Sequence, residues 1–257
     1  ITTPFTFIAT VASIVTVGAK PVFVDIKDDY NINEKLIQKA ITKKTKGIMA
    51  VNWSGRPCEL DKISSIAKKN NLKFIQDACH SIDSNYKKKP IVKFSDACTF
   101  SLHPLKNLNV WGDGGFILTN NSNLAKKLYL LRNHGLKDRN NCEMFAFNSR
   151  LDTIQAAIAN YKIKKKLNII TKKRIQNAYI LDKYLKSNKN IFIPLRKKYY
   201  KEVFHLYQIN VDERIRNNLI KYLNLNKIDA KVHYPIPIHL QKAAKFLKYK
   251  KGDFPMA

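Results

Sequence analysis

The chain has 257 residues, and its 47 Lys or Arg residues against 19 Asp or Glu residues give a formal net charge of +28. Hydrophobic residues make up 45% of it and aromatic residues 11%, which excludes a disordered or low-complexity chain because such chains lack the apolar material for a core. The length predicts one large domain or two modest ones.

Short β-branched runs alternate with amphipathic stretches through the first half of the sequence. In the first predicted helix, Asn33 is the expected N-cap and Glu34 lies in the first turn. Such alternation is typical of an α/β fold, in which helices cover the faces of a mostly parallel sheet. The predicted strands are 20–25, 46–51, 72–75, 98–102 and 116–119, and the predicted helices are 33–42, 60–69 and 124–132.

The second half begins with a long helical pattern. From Leu151 to about Leu185 almost no helix breaker occurs, which predicts one long helix leaving the first domain. We therefore expect a large domain at 1–164 and a smaller α/β domain at 165–257, joined by this helix. The elements predicted beyond the helix are a strand at 204–211, a helix at 213–223 and a strand at 230–233.

The basic residues are dispersed along the chain rather than concentrated in one region. A nucleic-acid-binding module more often groups Lys and Arg beside aromatic residues on one face. We interpret the lysine runs as solvated helix faces and expect no nucleic-acid partner, while a basic nucleic-acid-binding protein stays the alternative from a different functional class. The runs begin at Lys43, Lys68, Lys87, Lys164, Lys172 and Lys197.

The cysteines and the longest apolar stretch bear on the compartment. None of the four cysteines forms a C-x-x-C pair, so we expect neither a zinc site nor a disulfide framework. Cysteines without disulfide bonds are typical of a reducing compartment, so we expect a cytoplasmic location. The apolar stretch at 5–19 is interrupted by Thr, Ser and Gly and is too short to span a bilayer, so no membrane association is expected.

Two polar residues follow predicted strands at the edge where α/β proteins bind ligands. Asp77 lies two residues after the predicted strand at 72–75, and Lys106 lies four residues after the predicted strand at 98–102. Ligands of open α/β sheets sit at the carboxyl ends of the strands, so both side chains are expected to face one crevice. A helix-capping carboxylate and an ordinary surface lysine are the alternative interpretations.

An acid and a lysine at one site are residue types that Schiff-base chemistry on a cofactor ring needs. A lysine that forms a Schiff base must lose its proton, which burial promotes. A carboxylate keeps the ring nitrogen of the cofactor protonated. An aromatic side chain stacks on the ring, for which Phe7 is a candidate, although its position is equally typical of a core residue on a helix face.

The sequence resembles the DegT/DnrJ/EryC1/StrS aminotransferases in blocks that occur in family order over nearly the whole chain. The resemblance implies the fold-type I architecture of aspartate aminotransferase, a three-layer α/β/α large domain followed by a smaller α/β domain. It also implies pyridoxal 5′-phosphate as cofactor and amination of a keto sugar, usually nucleotide-linked. L-Glutamate is the expected amino donor, with glutamine as the alternative. The matching blocks are 3–10, 18–25, 76–80, 100–107, 112–115, 132–135, 148–151, 155–157 and 233–239.

The resemblance implies a role for each motif residue. Lys106 would carry the cofactor and move the proton during transfer, Asp77 would pair with the ring nitrogen, and His80 would lie near the 3-hydroxyl. Ser101 would bind the phosphate, Phe7 would stack on the ring, and Asn148 would reach the cofactor of the partner subunit in a homodimer. Further candidates, for substrate contact, are His134, Arg150, His205 and His233, with packing or surface hydrogen bonding as their alternative.

Two departures from the family pattern affect these expectations. The Ser-Gly-Thr-Ala block that also holds the phosphate has no counterpart, and the end of the small domain is missing, so we expect a fragment lacking both ends. A branch of the family replaces the lysine by His and dehydrates the sugar, but Lys106 favours transamination. Residues 112–115 resemble members that aminate C3 more than C4.

Overall fold

The structure is a computed structural model that describes residues 1–257, and it contains seven α-helices and nine strands. The helices are α1 (Ile8–Thr16), α2 (Glu34–Ala40), α3 (Leu60–Lys69), α4 (Ser122–Leu131), α5 (Thr153–Lys165), α6 (Leu167–Leu185) and α7 (Glu213–Leu225). The strands are β1 (Gly47–Val51), β2 (Lys73–Asp77), β3 (Asn85–Tyr86), β4 (Lys89–Pro90), β5 (Ala97–Ser101), β6 (Gly115–Leu118), β7 (Ile191–Phe192), β8 (Tyr200–Lys201) and β9 (Asn210–Val211). Short 3₁₀-helices occupy Trp53–Gly55, Ile91–Phe94, Ile238–Leu240 and Lys242–Leu247.

The central sheet has four strands in the order β1-β2-β5-β6. The first three run parallel, and β6 pairs antiparallel with β5 at the edge of the sheet. Asp77 pairs with Val51 on one side and with Thr99 on the other, so the carboxyl ends of the parallel strands lie level with one another. The predicted α/β class with a mostly parallel sheet is confirmed.

The first two amphipathic helices form as the sequence predicts. In α3, Leu60, Ile63 and Ala67 are buried at helical spacing and pack into the core against Phe74 of β2. The backbone N–H of Lys35 donates to the Asn33 side chain, which confirms the predicted cap, an interaction worth about 1 kcal/mol.

The last residues of the chain pack back onto its beginning. They form a hydrophobic cluster, separate from the core around β2, in which α1 packs against the 3₁₀-helices Ile238–Leu240 and Lys242–Leu247 and the residues that follow them. The tyrosine hydroxyl of Tyr249 also accepts a hydrogen bond from the backbone N–H of Phe23. The end of the chain therefore supports α1, the helix that contacts Asp77. The buried members of the cluster are Val11, Phe23, Ile238, Ala244, Leu247 and Phe254.

The predicted long helix at 151–185 is in fact two helices. Lys166, with φ −125° and ψ −34°, separates α5 from α6. The predicted strand at 204–211 is reduced to β9, because Phe204 has a φ of 46° and the residues before β9 hydrogen-bond to loops rather than to a sheet. Tertiary contacts override the β pattern of this segment.

Two other predicted strands are wrong for lack of a sheet partner. Segment 20–25 makes only a single bridge, between Phe23 and Thr2. Segment 230–233 is irregular, and the N–H of Ala230 donates to the Asn224 side chain instead. No helix is both long enough and apolar enough to cross a membrane, and all four cysteines are free thiols.

Candidate active site

The carboxylate of Asp77 is held at the end of β2 by two donors. The hydroxyl of Thr10, on α1, lies 2.6 Å from Oδ2, and the backbone N–H of Cys79 donates to Oδ1 at 3.1 Å. Hydrogen bonds of this kind stabilise the ionised form of a carboxyl group and restrict its orientation. Asp77 therefore presents a fixed carboxylate at the carboxyl edge of the sheet, as the strand-end argument predicts.

Lys106 lies in the loop after β5 and is half-buried. Its backbone N–H donates to the carbonyl of His103 at 2.8 Å, which closes a turn. Burial lowers the pKa of Lys106, while the nearby Cys79 and Asp77 act in the opposite direction. A lysine in this setting loses its proton more readily than a surface lysine, which is the property that a nucleophilic amine requires.

His80 follows Asp77 by three residues and is buried between two rings. Its imidazole is stacked on that of His205, with ring centroids 4.2 Å apart and an interplanar angle of 29°. The edge of Trp53 contacts it from another direction, at a centroid distance of 5.1 Å. Burial lowers the pKa of His80 well below its usual value, and the neighbouring His205, Lys106 and His233 act in the same direction.

His205 and His233 reach the same site from distant parts of the chain. Burial, followed by the charges of Lys106, Arg174 and His233, lowers the pKa of His205 to about 3. Burial and the charge of Lys231 lower the pKa of His233, against Asp229, with a further contribution from Lys106. The imidazoles therefore stay neutral at physiological pH, beside the lysine whose charge affects them.

Ser101 and Phe7 are the two other residues predicted to hold the cofactor within one chain. Ser101, half-buried at the end of β5, accepts a hydrogen bond from the backbone N–H of His103 at 3.2 Å. Phe7 precedes the first turn of α1, and 58% of its surface is exposed. The alternative interpretation of Phe7 as a buried core residue is therefore wrong, and its ring is available to a ligand.

The other predicted residues lie together in an exposed segment. Arg150 donates to the side chain of Asn133 at 2.7 Å, and a β-bridge joins Asn133 to Asn148. His134, with a φ of 58°, donates its backbone N–H to the carbonyl of Phe147 at 3.0 Å. The polar contacts of these three residues stay within residues 132–150. A single chain therefore brings Asp77, His80, Lys106, His205 and His233 together, whereas Asn148, His134 and Arg150 do not contact that group.

Sequence reasoning missed Thr10 and Asn107. Both belong to blocks of the family resemblance, and Asn107 directly follows Lys106, a signal that could have singled it out. Nothing in the sequence pattern indicates that the hydroxyl of Thr10 meets Asp77, because the two residues are 67 positions apart.

The residues of the first group fit pyridoxal phosphate by their chemistry. Asp77 is a carboxylate held by two donors, the pKa of Lys106 is lowered, and the Phe7 ring, at the start of the helix that contacts Asp77, is exposed. The set therefore provides a partner for a protonated ring nitrogen, an amine nucleophile and a stacking surface, which are the three groups that this cofactor requires of a protein.

Comparison with known proteins agrees with this chemistry. The model of the DegT/DnrJ/EryC1/StrS aminotransferase family matches residues 1–257. A pleiotropic regulatory protein of Geobacillus stearothermophilus is 38% identical, over 100% of this chain and 69% of its own length. A dTDP-3-amino-3,6-dideoxy-alpha-D-galactopyranose transaminase of Aneurinibacillus thermoaerophilus is also 38% identical, over 98% of this chain and 68% of its own.

Two solved structures share the architecture. DesV from S. venezuelae, in complex with a ketimine intermediate, superposes with a TM-score of 0.94 at 29% identity, over 99% of this chain and 68% of its own. NtdA from Bacillus subtilis, with bound cofactor PMP, superposes with a TM-score of 0.88 at 31% identity, over 98% of this chain and 58% of its own.

Proposed function

The chain belongs to the DegT/DnrJ/EryC1/StrS aminotransferase family, whose enzymes use pyridoxal phosphate, and we propose that it transfers an amino group from L-glutamate to a nucleotide-linked keto sugar. The observation that carries the proposal is the presence of Asp77 and Lys106 at the carboxyl edge of the sheet, near enough for the charge of Asp77 to affect the pKa of Lys106. A dehydratase of the same family would need another residue in place of this lysine.

The proposed roles follow from the contacts of each residue. When bound, pyridoxal phosphate supplies a carbonyl that condenses with amines and a ring that withdraws electrons. The Asp77 carboxylate, whose oxygens each accept one hydrogen bond from the protein, has lone pairs left to hold a proton on the ring nitrogen. The amine of Lys106, with its lowered pKa, accepts the substrate proton and returns it.

The sugar class is supported by the relatives. The A. thermoaerophilus transaminase acts on a dTDP-linked sugar that carries its amino group at C3. Together with the glycine-rich residues 112–115, this similarity favours a C3 ketone over a C4 ketone as the acceptor. We propose that the product enters surface-polysaccharide biosynthesis in the cytoplasm, the compartment that the four free cysteines suit.

A homodimer with shared active sites is part of the proposal. Asn148 is exposed and directly follows Phe147 in the sequence. The side chains of Phe145 and Phe147 are 101% and 82% exposed. Neighbouring aromatic rings left in water favour association with a second protein surface. In a dimer, Asn148 would reach the phosphate of the partner's cofactor, and His134 and Arg150 would come near the substrate with it.

The proposal is tested by incubating the purified protein with pyridoxal phosphate, ¹⁵N-labelled L-glutamate and dTDP- or UDP-linked 3-keto and 4-keto sugars. We expect a sugar product that has gained one labelled amine, together with one equivalent of 2-oxoglutarate. A product that has lost water without gaining nitrogen would instead identify a dehydratase. No product with any of the sugars, from protein that binds the cofactor, would contradict the proposed acceptor class.

A further inference from the structure

His80 sits in a cradle formed by two chain segments that are far apart in sequence. The first is the turn Trp53–Gly55, and the second is the segment 203–206. The turn and the segment are joined by the hydroxyl of Ser54, which donates to the carbonyl of Leu206 at 2.6 Å. The orientation of the His80 ring therefore depends on both segments.

The hydrogen bonds of the cradle determine which nitrogen of His80 carries the proton. The backbone N–H of Ser54 donates to Nδ1 of His80 at 3.3 Å. Because an N–H can donate only to an unprotonated nitrogen, the neutral ring carries its proton on Nε2. Nε2–H is then the donor that His80 has available for the 3-hydroxyl oxygen of a bound cofactor.

Asn107 fixes the second histidine in the same way. Its side-chain amide donates to the carbonyl of Val203 at 2.9 Å, which leaves the amide oxygen facing Nδ1 of His205 at 3.3 Å. His205 therefore donates from Nδ1. Asn107 is buried and adjacent to Lys106, so one side chain ties the lysine loop to the ring that stacks on His80.

The rest of segment 203–206 is held tightly enough to transmit this restraint. Arg174 of α6 donates to the carbonyls of Phe204 and His205 at 3.0 and 3.3 Å. On the other side, the N–H of Val203 donates to the carbonyl of Gly55 at 3.0 Å. A Cβ atom on Gly55 would lie 2.8 Å from the backbone nitrogen of Phe204, so the backbones of the two segments are in close contact there.

We propose that Asn107 and His205 are positioning residues, which hold the His80 imidazole in the orientation that serves the cofactor ring. The proposal rests on the proposed function in that it gives His80 a role at the cofactor. It differs from the expectation that His205 contacts the substrate, because His205 acts through His80. Truncation of His205 should free the His80 ring, whereas an aromatic replacement should keep it stacked.

The experiment follows the imidazole of His80 by NMR in ¹⁵N-histidine-labelled protein without cofactor, with its signal assigned by its loss in His80→Gln. The charged or titratable groups that affect this ring are His205, Lys106 and His233. In the wild type the His80 signal should not titrate between about pH 5 and 8. In His205→Ala and Asn107→Leu it should shift and titrate, whereas His205→Phe and the exposed control Asn226→Leu should resemble the wild type.

Steady-state kinetics with the keto sugar form the second readout. His205→Ala should lower kcat by roughly ten- to a hundredfold while the KM for the sugar stays constant, because a misplaced group near the reaction slows the chemical step. A raised KM with constant kcat would overturn the proposal and make His205 a substrate contact.

An unchanged His80 signal in folded His205→Ala would also overturn the proposal. If that variant does not fold, the comparison of Asn107→Leu with Asn226→Leu decides the question. If the wild type aminates no sugar, the proposed function fails, and the NMR comparison still reports whether His205 positions His80.

Discussion

The hydroxyl of Thr10 lies 2.6 Å from Oδ2 of Asp77, so α1 and the end of β2 meet at the carboxylate that faces the active site. Because the hydroxyl donates to one oxygen of the carboxylate, Thr10 helps to fix the direction of the Asp77 side chain. α1 is itself packed against the last residues of the chain, through Val11. The geometry of the site thus depends on parts of the chain that are far from its catalytic motifs.

Replacing Asp77 should cost more activity than replacing its donor. We expect Asp77→Asn to lower kcat/KM by about 10²- to 10⁴-fold, because a neutral amide no longer holds the proton on the ring nitrogen. Thr10→Val should lower it by roughly tenfold, the effect of one lost hydrogen bond to a charged group. Thr16→Val, an exposed change on the same helix, is the control, and a loss there equal to that of Thr10→Val would contradict the assignment.

Lys106→Ala should abolish both catalysis and covalent attachment of the cofactor. The loss of the amine removes the group that holds the cofactor and moves the proton, so we expect the rate to fall by at least about 10²- to 10⁴-fold. The visible absorbance of the lysine-bound cofactor should disappear as well. Lys68→Ala, an exposed lysine on α3, should keep both properties, and the same absorbance in Lys106→Ala would rule out Lys106 as the attachment site.

The proposed shared site can be tested by mixing two inactive variants. If Asn148 completes the active site of the partner subunit, Lys106→Ala and Asn148→Ala chains that exchange subunits should form mixed dimers. One of the two sites in each mixed dimer then has both residues intact, and activity should return. Native mass spectrometry, with one variant isotopically labelled, should show that exchange has occurred, and a mixture that exchanges but stays inactive would place Asn148 outside the partner's site.

Gly55→Ala should destabilise the protein more than an alanine at an open glycine. Gly55 has a φ of +99°, and an added Cβ would lie 2.8 Å from the backbone nitrogen of Phe204. Gly18 has a φ of +76° but no atom within 4 Å of the added Cβ, so Gly18→Ala isolates the backbone strain. We expect a free energy of unfolding lower by roughly 1–3 kcal/mol in Gly55→Ala than in Gly18→Ala, measured by urea denaturation. Equal values would show that the contact adjusts without cost.

Glu59 should make the stability depend on pH. It is buried and accepts hydrogen bonds from Lys197 at 2.9 Å, from Tyr199 at 3.0 Å and from Tyr200. Burial raises the pKa of Glu59, but the hydrogen bonds from Tyr200, Lys197 and Tyr199 and the charge of Lys197 outweigh it and lower the pKa to about 2.

A carboxyl group with a lowered pKa stabilises the folded state above its ordinary pKa of 4.5, and this contribution is lost as the pH falls towards about 2. Glu59→Gln should therefore unfold more easily at neutral pH, by about 3 kcal/mol, and the difference from wild type should shrink in acid. Exposed Glu213→Gln should show neither effect. A difference that stays constant with pH would mean that the loss comes from packing and not from the charge.

Local patterns alone determined much of the framework. The helix predicted at 60–69 and the Asn33 cap are confirmed because amphipathic spacing and capping chemistry act over a few residues. The placement of Asp77 and Lys106 at one edge followed from parallel strand order, since such strands end on the same side. The sequence blocks that resemble the aminotransferase family added the identity of the cofactor, because several of them contain a residue expected to contact the ring, the phosphate or the aldehyde of pyridoxal phosphate.

Only the tertiary structure decided which residues meet across long sequence distances. His80 and His205 are 125 positions apart, and their stack depends on the path of segment 203–206 over the turn Trp53–Gly55. The sequence of that segment favours a strand, but its backbone hydrogen-bonds to Gly55, Asn107 and Arg174 instead of pairing in a sheet. Periodicity reports only which face of an element is apolar, whereas burial, ring stacking and pKa shifts arise from neighbours that the pattern does not contain.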